Sequence, residues 1–117
     1  MIQASGIDHI VLQVSDVRRS RKFYTERLGM SVYHENDTQV FLHAGTQGVA
    51  LFRTPDGAPA AGGDLNHLAL SVADGTYETL KAELEAHGVG VSGRPGDDRC
   101  IYFNDPDGHR LQLMFRK

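Results

Sequence analysis

The chain has 117 residues, of which 40% are hydrophobic and 23% are charged, and this length is typical of a single domain. Its formal net charge of -3 argues against nucleic-acid binding, which requires a basic face. No apolar run approaches the ~18 residues that cross a membrane, the first residues lack a signal-peptide pattern, and Cys100 is the single cysteine. We therefore expect a cytoplasmic protein that binds neither nucleic acid nor membranes.

In chain order, the first predicted element is a strand over residues 7–14, IDHIVLQV. The same pattern returns at residues 65–72, LNHLALSV, with a histidine again in third place. An aspartate follows each copy, Asp16 and then Asp74, and a helical period begins after it. A repeat at about half the chain length indicates two copies of one supersecondary unit.

The first unit continues with a helix and three strands. Asp16 is a suitable N-cap, because its carboxylate can accept hydrogen bonds from the free amides of the first turn. Gly29 suits the left-handed position that ends a helix. The apolar and turn residues that follow predict strands over 30–34, 39–43 and 49–53.

Residues 54–64 are rich in proline and glycine and predict a linker. The second unit then repeats the first, with a helix that ends at Gly88 and further strands over 89–92, 99–104 and 110–116. Residues 105–108 predict the turn before the last strand. Alternation along that strand places Gln112 on the face away from the helix.

The predicted fold is therefore α+β, with two β-α-β-β-β modules over residues 6–53 and 65–116 of one domain, 1–117. The modules would form a curved mixed sheet of about eight strands around an open cleft, with the helices on the outer face. His9, His67 and Gln112 would face the cleft, and a polar cleft of this kind binds small molecules.

Four segments resemble the vicinal oxygen chelate superfamily, which includes glyoxalase I, extradiol dioxygenases and the bleomycin and fosfomycin resistance proteins. They are DHI at residues 8–10, FYTERLGM at 23–30, NHLA at 66–69 and YFNDPDGHRLQL at 102–113. The resemblance runs from Ile7 to Phe115. It implies paired modules around a cleft, usually assembled as a homodimer.

The resemblance also implies a metal site. Metal-binding members use a histidine from the first strand of each module, matching His9 and His67, and a glutamate at the position of Gln112. Glyoxalase-type members add a carboxylate on the fourth strand, but residues 40–55 contain no Asp or Glu. His43 would replace it if its strand is in register. Gln112 either coordinates the metal through its neutral amide oxygen or only hydrogen-bonds a ligand or water.

Two functions follow from the resemblance. The first is a small metal-dependent enzyme whose substrate chelates Fe, Mn, Ni or Zn through adjacent oxygens, in a lyase, isomerase or dioxygenase reaction. The alternative is a drug-binding protein of the bleomycin-resistance type, without catalysis. Gln112 and the missing carboxylate favour the alternative, and the two histidines oppose it. No residue is identified as a catalytic base.

Overall fold

The computed structural model describes residues 1–60, 65–97 and 99–115. The chain divides into two compact units, Met1–Ala60 and Ala61–Lys117. Each unit contains one helix and one four-stranded sheet in which parallel and antiparallel pairs are mixed. The predicted α+β class and the two β-α-β-β-β modules are therefore confirmed. The strands form two sheets of four, however, rather than one sheet of about eight.

The elements of the first unit are β1 (His9–Val14), α1 (Val17–Glu26), β2 (Ser31–Glu35), β3 (Gln39–Ala44) and β4 (Gln47–Arg53). The strand order is β1-β4-β3-β2. β1 runs parallel to β4, whereas β3 is antiparallel to both of its neighbours. The first and last strands of the unit therefore lie side by side.

Helix α1 has the predicted N-terminal cap. The carboxylate Oδ1 of Asp16 accepts hydrogen bonds from the backbone amides of Arg18 and Arg19, each at 3.1 Å. Such a cap contributes about 1 kcal/mol. Gly29 has a φ of 67°, as the predicted left-handed helix end requires.

The core of the first unit follows from strand alternation. Leu12 and Val14 of β1 are buried with Leu42 of β3, Leu51 of β4 and Tyr24 of α1. Residues of opposite parity lie on the other face of the sheet, which we call the open face. His9 begins β1 on this face.

Part of the predicted linker is packed against the first unit. The Thr54 amide donates to the Val14 carbonyl at 2.8 Å, and the Thr54 hydroxyl donates to the Ala58 carbonyl at 2.6 Å. Thr54 is consequently buried, and a short 3₁₀ turn follows over Pro55–Gly57. The rest of the predicted linker, residues 61–64, lies outside the described residues.

The elements of the second unit are β5 (Leu68–Val72), α2 (Tyr77–Ala86), β6 (Ser92–Gly93), β7 (Ile101–Asn104) and β8 (Arg110–Phe115). The order β5-β8-β7-β6 repeats that of the first unit, again with a parallel pair between the first and last strands. None of the helices in the described part of the chain is long and apolar enough to span a membrane.

Two local features of the second unit were not specified by the sequence prediction. Thr76 caps α2, because the hydroxyls of Thr76 and Thr79 each accept from the other's backbone amide. Strand β6 is only two residues long. At Gly93 an added Cβ would clash with the Cys100 carbonyl oxygen, so only glycine permits this approach.

Gly48 of β4 holds the start of β1 in place. The Gly48 amide donates to the Asp8 carbonyl at 2.8 Å, and Gly48 is paired with His9 in the parallel ladder. A Cβ at Gly48 would lie 2.8 Å from the His9 Cβ and 2.9 Å from the Asp8 carbonyl oxygen. The two strands therefore approach more closely than any other residue type allows.

We expect Gly48→Ala to lower the free energy of unfolding by about 1–3 kcal/mol, because β1 must move away from β4 to accept the new methyl group. Gly90→Ala is the matched control, since no neighbouring atom lies within 4 Å of an added Cβ there. It should change stability by less than about 0.5 kcal/mol. Denaturant unfolding of both variants tests this, and equal losses would contradict the steric explanation.

Candidate metal centre

The histidine in each copy of the repeated motif bonds to the side chain that precedes it. The His9 Nδ1 lies 2.7 Å from the Asp8 carboxylate Oδ2, and the His67 Nδ1 lies 2.8 Å from the Asn66 amide Oδ1. Carboxylate and amide oxygens only accept hydrogen bonds, so Nδ1 of each neutral ring must donate. The Nε2 atom of each ring then carries the free lone pair that a metal ion needs.

An aromatic ring lies beside each histidine. The ring centroids of His9 and Phe41 are 6.5 Å apart, and those of His67 and Tyr102 are 5.9 Å apart, both in edge-on arrangements. Phe41 of β3 and Tyr102 of β7 occupy equivalent strands of the two units. Each imidazole is thus restrained by a hydrogen bond on one side and an aromatic ring on another.

Strand register brings Gln112 to the face of the second unit that carries His67. Gln112 of β8 is paired with Ala69 of β5 and with Tyr102 of β7. Paired side chains share a face, and His67 lies two residues before Ala69. The expectation from parity that Gln112 and His67 share a face of the sheet is therefore confirmed.

Gln112 is 7% exposed, and its side-chain Nε2 donates a hydrogen bond to the Arg99 carbonyl. This bond orients the amide, so the Oε1 atom is the one left to bind a ligand. A glutamate at this position would have no proton to donate at neutral pH. The sequence showed that residue 112 is a glutamine rather than a glutamate. It did not show that the Arg99 carbonyl accepts a hydrogen bond from this side chain.

The segment that supplies this carbonyl is held by charged groups. Asp97 accepts from the Arg99 amide at 3.0 Å and from the Arg94 guanidinium at 2.9 Å, and the Cys100 thiol lies 3.4 Å away. These hydrogen bonds, led by that of the Arg99 amide, hold the pKa of Asp97 well below its ordinary value. The Asp97 bonds therefore secure the turn against which Gln112 is anchored.

Arg110 places a positive charge on the same face as His67 and Gln112. The guanidinium Cζ lies 4.5 Å from the centroid of the Tyr102 ring, a cation–π arrangement. In the described part of the chain, no carboxylate forms an ion pair with Arg110, and its side chain is exposed. Arg110 was not predicted as a site residue from the sequence, although it lies two residues before Gln112 on the same strand and therefore on the same face.

His43 lies on the open face of the first unit. Gly48 is paired with His43 on one side and with His9 on the other, so both histidines face the same way. The His43 ring packs against Tyr33 with 4.1 Å between the centroids. The strand register therefore places His43 on the same face as His9, as its role in replacing the missing carboxylate would require. Its ring, however, stacks on Tyr33, which lies where the pairing of β2 with β3 is irregular.

The three predicted ligands are divided between the units, with His9 in the first and His67 and Gln112 in the second. Among the described residues, no three His, Cys, Asp or Glu side chains are grouped closely enough to hold a metal ion. The predicted ligands include only two side chains of these four types, His9 and His67, because the third ligand, Gln112, is an amide.

A buried acidic residue in the motif before the last strand was missed. Asp105 is 5% exposed, and its Oδ1 accepts from the amides of Asp107 and His109, each at 2.9 Å. These bonds shape the predicted turn between β7 and β8. Asp105 therefore sets the register that brings Tyr102 opposite Gln112.

Two of the known proteins that resemble this chain have nearly the same sequence identity to it. "Glutathione transferase FosA" of Serratia marcescens is 33% identical over 111 residues, covering 92% of this chain and 79% of that protein. "Metallothiol transferase FosB" of Staphylococcus epidermidis is 32% identical over 114 residues, covering 92% and 81%. Among solved structures, the trypanothione-dependent glyoxalase I of Leishmania major has the same fold, with a TM-score of 0.80 at 24% identity over 96% of this chain and 87% of that one.

One family model matches residues 6–113, nearly the whole chain, and its description is the Glyoxalase/Bleomycin resistance protein/Dioxygenase superfamily. This match spans both modules, both histidines and Gln112. It confirms the resemblance found in the sequence. The chain therefore belongs to the Glyoxalase/Bleomycin resistance protein/Dioxygenase superfamily.

Proposed function

We propose that this protein is a metal-dependent enzyme of its superfamily, in which His9, His67 and Gln112 bind one divalent ion of the Fe, Mn, Ni or Zn type. One observation carries the proposal. In both units the histidine Nδ1 is engaged by the preceding side chain, at 2.7 Å and 2.8 Å, so both Nε2 atoms are available as ligands. The meeting of the two units' ligands at one ion is itself part of the proposal.

The donor chemistry fits such an ion. Neutral imidazole is a good ligand for divalent first-row metals, and an amide oxygen can complete the set. Gln112 offers Oε1 because its Nε2 is bonded to the Arg99 carbonyl. The set has no negative charge, so we expect weaker binding than with a glutamate at this position.

When bound, the metal would act as a Lewis acid on two adjacent oxygens of a small substrate. The chain's own residues would orient that substrate. Arg110, supported on Tyr102 beside His67, would bind a negatively charged oxygen through its guanidinium. The Tyr102 ring covers one face of the Arg110 guanidinium, so the substrate would approach the guanidinium from its other face or its edge.

The names of the two relatives favour one reaction class. One is called a glutathione transferase and the other a metallothiol transferase. We infer that transfer of a thiol to a small acceptor molecule is the first reaction to test, ahead of the lyase, isomerase and dioxygenase reactions considered from the sequence.

The alternative of a drug-binding protein without catalysis has one observation in its favour. Gln112 is bonded to the Arg99 carbonyl, and this bond alone would explain an amide at that position. The alternative requires no metal, so metal analysis of protein purified without a histidine tag separates the two functions.

We also propose a cytoplasmic homodimer. The outer strands β1 and β2 of one sheet, and β5 and β6 of the other, leave edges that a second chain can cover. Light scattering at micromolar concentration should give twice the monomer mass of 12.9 kDa. A mass equal to the monomer at every concentration tested would contradict the dimer.

We expect His9→Ala and His67→Ala each to remove bound metal while the protein stays folded, because both side chains are exposed and replaced without leaving a core cavity. His87→Ala is the control, since His87 is an exposed residue at the end of α2. Metal content by elemental analysis and folding by circular dichroism test this. Full metal content in His67→Ala would show that the histidine is not a ligand.

Gln112→Glu should tighten metal binding, because a unit negative charge is added beside a divalent ion. Without metal, the new carboxylate faces the Arg99 carbonyl, and we expect a loss of about 1–3 kcal/mol at neutral pH. The carboxylate's pKa should be raised, so the loss should grow as pH rises above the unfolded value of ~4.3 and should disappear below it.

The control for the added charge is Gln47→Glu, at an exposed position on β4. Titration of Mn(II), Fe(II), Ni(II) and Zn(II), with thermal melts at neutral and acidic pH, compares the three proteins. If Gln112→Glu shows only the acid-sensitive loss and no gain in metal affinity, Gln112 is not a ligand.

A further inference from the structure

We propose that Asp8 and Asn66 are positioning residues that hold the rings of His9 and His67 with Nε2 unprotonated. We also propose that Asp8 supplies, through His9, part of the negative charge that Gln112 does not bring to the metal. The role of the Asp8 charge at the metal rests on the proposed function. The positioning of the two rings does not, because it concerns the protein without metal.

The same contact occurs in both units. In each, the residue immediately before the histidine places a side-chain oxygen on Nδ1, at 2.7 Å from Asp8 and 2.8 Å from Asn66. Both belong to the repeated segment of the sequence, where only the histidines were considered as functional residues. Two independent units that share one arrangement indicate a common requirement on the ring.

The backbone that carries Asp8 is also held in place. The Gly48 amide donates to the Asp8 carbonyl at 2.8 Å, and no side chain fits between Gly48 and His9. The backbone of Asp8 is thus held beside Gly48, which keeps its carboxylate close to the His9 ring. In the second unit, the parallel ladder begins one residue after His67, at Leu68.

The two positioning residues differ in charge. Asp8 is a carboxylate, whereas Asn66 is a neutral amide. A carboxylate on Nδ1–H increases the electron density at Nε2 and makes the ring a stronger metal ligand than an amide does. His9, His67 and Gln112 are all neutral as metal ligands. The carboxylate of Asp8, which is bonded to His9, can therefore supply a negative charge close to the ion.

The charge effect should be smaller than that of a coordinating glutamate. The Asp8 side chain is 95% exposed, and the His9 side chain is 41% exposed. Solvent therefore screens the carboxylate. The role of Asp8 is expected to combine orientation of the ring with a modest increase in affinity.

The first test uses nitrogen-15 NMR of the metal-free protein at about pH 8, above the ordinary His pKa of ~6.5. We expect His9 and His67 in the Nδ1–H form. Asp8→Ala should move His9 toward the Nε2–H form and leave His67 unchanged, and Asn66→Ala should do the reverse. Asp8→Asn retains an acceptor and should rescue the Nδ1–H form at His9.

The positioning role would be overturned for a ring that is already in the Nε2–H form in the wild-type protein. It would also be overturned if the ring keeps its Nδ1–H form after the neighbouring side chain is removed. The spectrum of His87 provides an internal reference. Circular dichroism of each variant confirms that the change is not caused by unfolding.

The second test is metal titration with Mn(II) and Zn(II). Asp8→Ala should weaken binding by roughly 10-fold, the low end of the range for such outer partners because the carboxylate is exposed, and Asp8→Asn should weaken it less, since only the charge is lost. Asn66→Asp should strengthen binding. Asp37→Ala removes a charge from an exposed turn of the same unit and should leave affinity unchanged.

The outcomes distinguish the two proposals. If the wild-type protein binds metal and Asp8→Ala binds it equally well, the role of the Asp8 charge is wrong while the proposed function stands. If the wild-type protein binds no metal, the proposed function and the charge role both fail. The NMR result then decides the positioning of the rings by itself.

Discussion

The parallel pairing of the first and last strands in each unit is the constraint on which the rest of the structure depends. β1 lies beside β4, and β5 lies beside β8. A parallel pair requires a long crossover, and the segment from α1 to β3 supplies it in the first unit while the segment from α2 to β7 supplies it in the second. This pairing places the histidine at the start of one strand next to the strand that completes the unit. The candidate ligands therefore come from residues far apart in the sequence.

Both units have this parallel strand pair, but a different residue lies beside the histidine in each. Gly48 lies beside His9 and allows the backbones to approach closely. In the second unit β8 begins with Arg110, whose side chain extends over Tyr102 instead. One unit thus offers an exposed imidazole on a tightly packed strand, and the other an imidazole near a cation.

Gln112 is anchored by a hydrogen bond within the fold and is also a proposed metal ligand. Its Nε2 is bonded to the Arg99 carbonyl, which is held in turn by the bonds of Asp97. The same bond directs Oε1 away from that carbonyl. If Gln112 binds the metal as proposed, its amide lowers the charge of the site relative to a glutamate, and the Asp8 carboxylate bonded to His9 would partly compensate. The departure from the family pattern is therefore consistent with the surroundings of Gln112.

Much of the fold was predictable from the sequence. The period of apolar residues, the Asp16 cap, Gly29 and the repeated histidine motif all depend on interactions between residues close in the chain. They were enough to predict two β-α-β-β-β modules and the shared face of His67 and Gln112. The sequence did not predict that Thr54, in the linker segment, is buried through bonds to Val14 and Ala58.

The sequence by itself determined the order of elements, the superfamily and the identity of the candidate ligands. Only the tertiary structure decided that the strands form two sheets of four and that Gly48 separates His9 from His43. It also decided that the Arg99 carbonyl meets Gln112 and that Arg110 lies on Tyr102. The physical reason is that strand register and side-chain contacts across strands join residues distant in the chain, which local periodicity does not specify.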